Sequence, residues 1–323
     1  RIPAIRLALN KNAGEELFDT INPMTKRKNI LVTGGTGFIG STLTQYLVEL
    51  GYHVTVLTRT SQEGRINTAQ IDFVSSLNVL GNSDWYGVVN LAGEPLNRAR
   101  WSVKQKELII NSRFALTRRL NKWIRELKKP PNVLISGSAI GWYGHWGNEC
   151  LDEESQSHEG FSHELCKAWE SAANEAADLV PRICIVRLGI VLGSNGGSLP
   201  AMLLPAKLGL GGPMGHGAQW WSWIHIEDTV RGIAMLLENP QTNGVFNLTA
   251  PNPVTQKTFA RTMGKQLNRP AVLPLPGFIA TLMMGEFAEE VLLKGQRVLP
   301  KNLLDAGFKF NYPDLVDALR QSI

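Results

Sequence analysis

Gly34, Gly37 and Gly40 stand three residues apart in the run Thr33-Gly34-Gly35-Thr36-Gly37-Phe38-Ile39-Gly40, directly after the apolar stretch Ile30-Leu31-Val32. Gly35, Gly37 and Gly40 also satisfy G-x-G-x-x-G, so a glycine-rich turn is read in either alignment. One glycine lets the chain turn sharply out of a strand, one lets a pyrophosphate approach the main chain, and one lets a helix pack closely on the strand. The helix start then offers N–H groups to an anion. A second chemical signal is Thr58-Arg59, which ends the strand-like run His53-Val54-Thr55-Val56-Leu57. At that position an acid would accept from an adenosine ribose 2′-hydroxyl, whereas an arginine pairs with a 2′-phosphate. The two signals together point to NADP rather than NAD, held by Gly34, Gly35, Thr36, Gly37, Phe38, Ile39 and Gly40 on one side and by Thr58 and Arg59 on the other.

These residues need a strand, a helix and a second strand to position them. Ile39, Leu43, Leu47 and Leu50 repeat at helical spacing, and the alternation of strand-like and helical segments from Ile30 to Val186 predicts a doubly wound parallel sheet. The strand Val88 to Ala92 ends in Asn90-Leu91-Ala92-Gly93, and small residues at a strand's carboxyl end let a cofactor lie against the backbone, which places Leu91, Ala92 and Gly93 in the cofactor set. A helix is expected over about Val103 to Leu127, and its Arg113 either faces the site or sits on a solvated surface. Val133 to Ile135 delivers Ser136-Gly137-Ser138 to the carboxyl edge of the sheet, which makes Ser138 a site candidate by location. Phe161 to Ala177 reads as a helix and Ile183 to Arg187 as a sixth strand; Val191, in the run that follows, completes the cofactor set. Asp152-Glu153-Glu154 has no histidine at ligand spacing and reads as a solvated turn, so no metal site is expected.

After Gly193 glycines punctuate a loop-rich stretch leading to Gln219-Trp220-Trp221-Ser222-Trp223. These tryptophans either line an apolar pocket or fill a small second core. Asp228 opens a helical run to Leu237, strand and turn are expected at 247–253 and 272–276, and two helices at 278–294 and 313–323. The organisation expected is an N-terminal extension over 1–28, an NADP-binding domain over 29–193 with contributions from about 218–250, and a substrate-side region over 194–323.

With 323 residues, 43% hydrophobic and 19% charged, the composition is that of a globular chain, and the net charge of +5 comes without a basic stripe interleaved with aromatics. Nucleic acid is therefore not an expected partner. The most apolar segment, Val272 to Met284, is interrupted by Pro274 and Pro276, so no membrane span and no membrane partner is expected. Cys150, Cys166 and Cys184 form no C-x-x-C and suggest a reducing, cytoplasmic compartment. Arg1 to Gly14 is basic and free of acids, as the tail of a transit peptide would be, although Glu15, Glu16 and Asp19 follow at once.

Taken together, TGGTGFIG, the strand-end Arg59, NLAG at 90–93, the Ser-Gly-Ser strand end and WIHIED at 223–228 resemble the extended short-chain dehydrogenase/reductase superfamily. GLGGPMGHGAQWWSWIHIED and KGQRVLPKNLLDAGFKFNYPDL narrow the likeness to an epimerase-family branch with its own C-terminal domain. The resemblance covers residues 28–323. It implies a Rossmann-type α/β fold, NADP as cofactor, and chemistry by a serine with a Tyr-x-x-x-Lys pair, the tyrosine passing a proton and the lysine lowering its pKa. Ser138 matches the serine. Lys167 falls in the expected helix, but His163 stands four residues before it where the tyrosine belongs, and a shift of one residue puts Ser162 and Cys166 there instead. Tyr143 is the nearest phenol to Ser138, and His163 is of the residue type that does acid–base work near neutral pH. The expected activity is that of an NADP-dependent oxidoreductase or nucleotide-sugar-epimerase-like enzyme on a small carbonyl or hydroxyl substrate, with a non-catalytic NADP sensor as the alternative. In this superfamily the helices after Asn90 and after Ser138 often pair, which leaves a homodimer open.

Overall fold

Seven strands form one sheet in which every neighbouring pair is parallel. They are β1 (Asn29–Thr33), β2 (His53–Leu57), β3 (Ile71–Val74), β4 (Trp85–Asn90), β5 (Val133–Ala139), β6 (Ile183–Leu188) and β7 (Gly244–Leu248), in spatial order 3-2-1-4-5-6-7. This computed structural model describes residues 27–59 and 67–323. Of the extension expected over 1–28, and of the transit-like segment within it, only residues 27 and 28 lie inside the described range.

Parallel strands buried on both faces read as continuous apolar runs, and β1 shows why. Ile30 and Val32 point to one face, Leu31 to the other, and all three are fully buried. On the first face α1 (Phe38–Glu49) contributes Leu43 and Leu47. On the second, α2 (Val103–Glu126) contributes Leu120 and Trp123, and α3 (Phe161–Asn174) contributes Ala173.

A second core forms beyond β6. It gathers Trp221 and Trp223 with residues of α4 (Leu199–Lys207), α6 (Gln256–Gln266) and α9 (Leu315–Ser322), so two of the three tryptophans fill this core. The helix α5 (Ile226–Glu238) returns to the first face of the sheet, where Ile233 and Leu237 pack, and β7 then extends the sheet beside β6. The expected strand at 247–253 thus lies earlier, at Gly244–Leu248. The expected helix over 278–294 is α7 (Gly277–Met284), ended by Gly285 at φ +65°, followed by a separate short π-helical turn over Ala288–Leu293. The short α8 (Lys301–Asp305) precedes α9.

Candidate functional site

Strand order reverses between β1 and β4, and open α/β sheets bind ligands in the crevice at that point. The loop leaving β1 carries the glycine run. Gly34 has φ +70°, and a Cβ there would stand 2.8 Å from the backbone of Leu91 and Ala92 at the end of β4. A Cβ on Gly40 would stand 2.2 Å from the Gly34 carbonyl oxygen, so α1 crosses the turn at a distance only glycine allows. Gly37 is different: exposed, with only the Gly34 oxygen at 3.3 Å from such a Cβ, it marks the open side of the turn. The alignment Gly34, Gly37, Gly40 is therefore the one the backbone uses. Gly35 packs inward on Val56 and Thr44, Thr36 is exposed, and Ile39 packs on the core beneath. The Phe38 ring is enclosed by Gly193, Gly196 and Gly197, where any Cβ would come within 2.9 Å of it.

Buried polar contacts lock β4 to this turn. Thr33 Oγ1 donates to Asn90 Oδ1 at 2.7 Å, and Asn90 Nδ2 donates to Thr117 Oγ1 of α2 at 2.9 Å. Arg113, also on α2, lies against Gly93 and donates to the Glu94 carbonyl at 3.0 Å. Burial pushes its guanidinium down to about 10. Of the two positions expected for Arg113, the solvated one is not found: the side chain is half-buried against the end of β4. Thr58 is buried at the end of β2 and Arg59 is exposed beside it. Val191 is buried in a short parallel pair, 190–192 with 223–225.

The serine side of the site is an ion-pair network. Ser138 and Arg187 are register partners across β5 and β6, so their side chains share a face. Ser138 Oγ donates to Glu170 Oε1 at 2.6 Å, and Arg187 forks onto both oxygens of Glu170 at 2.9 Å. The Arg187 guanidinium also covers the Trp142 ring at 3.6 Å. Burial disfavours its charge, but the Glu170 carboxylate more than offsets this and holds the group above its ordinary value. Glu170 and Arg187 were not anticipated, although an acid on the otherwise apolar face of α3 and an arginine inside an apolar strand are the signals that mark them.

Three expectations meet a different geometry. Tyr143 is fully buried against Leu151 and Val298, and its hydroxyl donates to Asn247 Oδ1 at 2.8 Å. Burial pushes the phenol up to about 12, with Arg187 opposing. Lys167 faces solvent, because the phase of α3 is set by Leu165, Cys166, Trp169, Ala172 and Ala173, all buried. His163 is buried and donates from Nδ1 to the Trp142 carbonyl at 2.6 Å. The pair that α3 turns toward the β5 end is Ser162 with Cys166: Ser162 lies over Gly141, and Cys166 Sγ is 3.5 Å from the Ala139 carbonyl. Burial, then Glu170, pushes this thiol up to about 11. Glu290, from the turn after α7, accepts from the backbone N–H of Phe161 and Ser162 and from Ser162 Oγ at 2.7 Å. Among the described residues no cluster of potential ligands is placed to hold a metal.

Residues 30–249 match the NAD dependent epimerase/dehydratase family, and residues 275–322 match a domain of unknown function, DUF1731. The chain is 38% identical over 301 residues to the epimerase family protein YfhF of Bacillus subtilis, covering 91% of this chain and 98% of that one. It is 39% identical over 300 residues to the chloroplastic SDR39U1 homolog of Arabidopsis thaliana, covering 90% and 85%. The crystal structure of human SDR39U1 (isoform 2) with NADPH superimposes with a TM-score of 0.84 at 35% identity, covering 91% of this chain and 98% of that one. The glycine turn at the β1/β4 switch point, the sheet order and the C-terminal region are therefore those of a known lineage: the chain belongs to the NAD dependent epimerase/dehydratase family.

Proposed function

We propose that this chain is an NADP-dependent oxidoreductase or epimerase-like enzyme acting on a small carbonyl or hydroxyl compound. The observation that carries the reading is the start of α1. Ser102, His225 and Thr255 cap α2, α5 and α6 with side chains and Glu290 serves α3, whereas α1, α4, α7, α8 and α9 have no side-chain cap; of these, α1 is the one that follows the glycine turn at the switch point of the sheet. Its first N–H groups, beside the open face of Gly37, are left for an external anion. In this reading the turn Gly34–Gly40 holds the pyrophosphate, Thr58 and Arg59 take the phosphorylated ribose, and Leu91 to Gly93 with Arg113 border the nicotinamide half. The NADPH in the human relative's structure supports the choice of cofactor.

Bound NADP would supply hydride chemistry at the substrate carbon, and the chain's own residues would place the substrate oxygen and move its proton. Ser138 gives its own hydrogen to Glu170, which leaves the Oγ lone pairs to accept from a substrate hydroxyl. Ser162, hydrogen bonded to the Glu290 carboxylate, passes the proton onward, the role that the resemblance gives to a tyrosine. A non-catalytic NADP sensor is the second reading, favoured by one observation: Ser138 is only 1% exposed and is tied into the Glu170–Arg187 pair.

Calorimetric titration with NADPH and NADH, followed by NADPH oxidation over a panel of small carbonyl compounds, tests both readings. Arg59→Ala is expected to weaken NADPH binding about tenfold or more, as a hydrogen-bonded charge is worth about 1.5–3 kcal/mol, and to leave NADH binding unchanged. Equal losses for the two nucleotides would sink the 2′-phosphate assignment. Tight NADPH binding without turnover on the panel would select the sensor.

A further inference from the structure

Residues 194–226 and 239–285 contain Lys207, Lys257, Arg261, Lys265 and Arg269 and no aspartate or glutamate. The four cations from Lys257 to Arg269 are spaced by four, so they run down one side of α6 and just past its end. All five are exposed, and among the described residues none of them makes an ion pair.

Beside this ridge the same segments expose large apolar side chains. Leu204, Leu208, Val272, Phe278, Leu282 and Met283 are each between 65% and 74% exposed. Leu204 and Leu208 stand one turn apart on α4 and its end, as Phe278 and Leu282 do on α7. The two groups are stitched together: Leu275 N donates to the Pro213 carbonyl, Gly215 N to the Leu275 carbonyl, and Gly212 packs on Leu273. The ridge joins them where Gly209 meets Pro270 and Gly217 meets Lys257. Arg100, from the loop after β4, donates to the Leu282 carbonyl at 2.7 Å, so the patch borders the loop that leaves the candidate site.

A contiguous apolar surface of this kind marks an interaction site. A second copy meeting it face to face would bring two sets of uncompensated cations together. An anionic bilayer satisfies both halves at once, receiving the apolar side chains among its acyl chains and the cations at its headgroups. We infer that the α4–α6–α7 face docks this protein on the surface of membranes carrying anionic lipid. The docking is peripheral, and among the described residues no helix is long and apolar enough to span a bilayer.

Flotation of the full chain with vesicles of phosphatidylcholine and phosphatidylserine, against phosphatidylcholine alone, tests this. The protein is expected to float with the mixed vesicles, to be released by added salt, and to stay behind with the neutral ones. Arg261→Glu and Arg269→Glu should each weaken partitioning roughly fivefold or more. Phe278→Ser with Leu282→Ser should abolish it while the circular dichroism spectrum is unchanged, since both side chains are exposed. Failure to float, or equal flotation with neutral vesicles, overturns the proposal. So does light scattering that finds a dimer which the Phe278→Ser, Leu282→Ser variant dissociates, because a second copy would then cover the face.

Discussion

Glu170 is the residue on which the serine side of the site rests. Its two oxygens receive Ser138 and both arms of the Arg187 fork in a nearly solvent-free setting. Breaking a buried pair by removing one charge leaves the other uncompensated, which costs far more than an exposed pair contributes. Glu170→Gln is therefore expected to lower unfolding stability by about 3–5 kcal/mol. Denaturant titration checks this; a loss under ~1 kcal/mol, the range of an exposed pair, would mean that Arg187 finds another partner. Ser138 itself could be placed from sequence, since strand ends at the carboxyl edge are where such folds do chemistry. Its partners could not. They come from a helix and a neighbouring strand whose register only the folded sheet fixes.

At the scale of elements, the β1 turn separates glycines the fold requires from Gly37, which the fold leaves open and which the proposed reading gives to the nucleotide. Gly40→Ala forces a Cβ to within 2.2 Å of a carbonyl oxygen, and overpacking of this sort costs about 1–3 kcal/mol. Gly37→Ala meets only one contact at 3.3 Å and a φ of −83° that alanine accepts. Thermal unfolding should accordingly fall for Gly40→Ala and hold for Gly37→Ala, while NADPH affinity falls in both. A Gly37→Ala protein that binds NADPH as wild type does would show that the nucleotide avoids this face of the turn. The elements themselves were largely readable, because β1, β2 and β4 to β6 are apolar runs between turn residues. What periodicity did not settle was rotation about a helix axis. Lys167 and His163 both lie in α3 as expected, but tertiary packing decides that the first is solvated and the second is buried. Of the two registers the sequence left open for the Tyr-x-x-x-Lys position, the one that α3 turns toward the β5 end is Ser162 with Cys166.

For the whole molecule, the junction at His225 couples the sheet to the C-terminal region. His225 caps α5 by accepting from Glu227 N through Nδ1, and its ring lies 4.0 Å from that of Tyr312. Asp228, fully buried, accepts from the backbone N–H of Asn311 and Tyr312. Burial holds the imidazole below its ordinary value of 6.5, against the pull of Glu227 and Asp228. With the folded value depressed, the unfolded chain takes up the proton first as pH falls, so stability is complete above about 6.5 and declines below it. Protonated Nδ1 can no longer accept, and the cap opens as well. Urea unfolding across this range should show the decline, and His225→Asn, which keeps an acceptor without a titrating ring, should flatten it. An unchanged slope would place the acid sensitivity elsewhere.

The return of the chain to the sheet also fixes an order of events during synthesis. α5 starts at Ile226 and β7 at Gly244, well beyond the end of β6 at Leu188, yet they cover one face of the sheet and one of its edges. A ribosome that has released only the first six strands presents an unpaired parallel edge at β6 and a face covered by α1 but not yet by α5, both open to association with other chains. The nucleotide-binding half is therefore not a unit that can be cut away at Gly193. The sheet gains its last strand only once Leu248 has emerged, and its core still takes Leu303 and Phe308 from the C-terminal region.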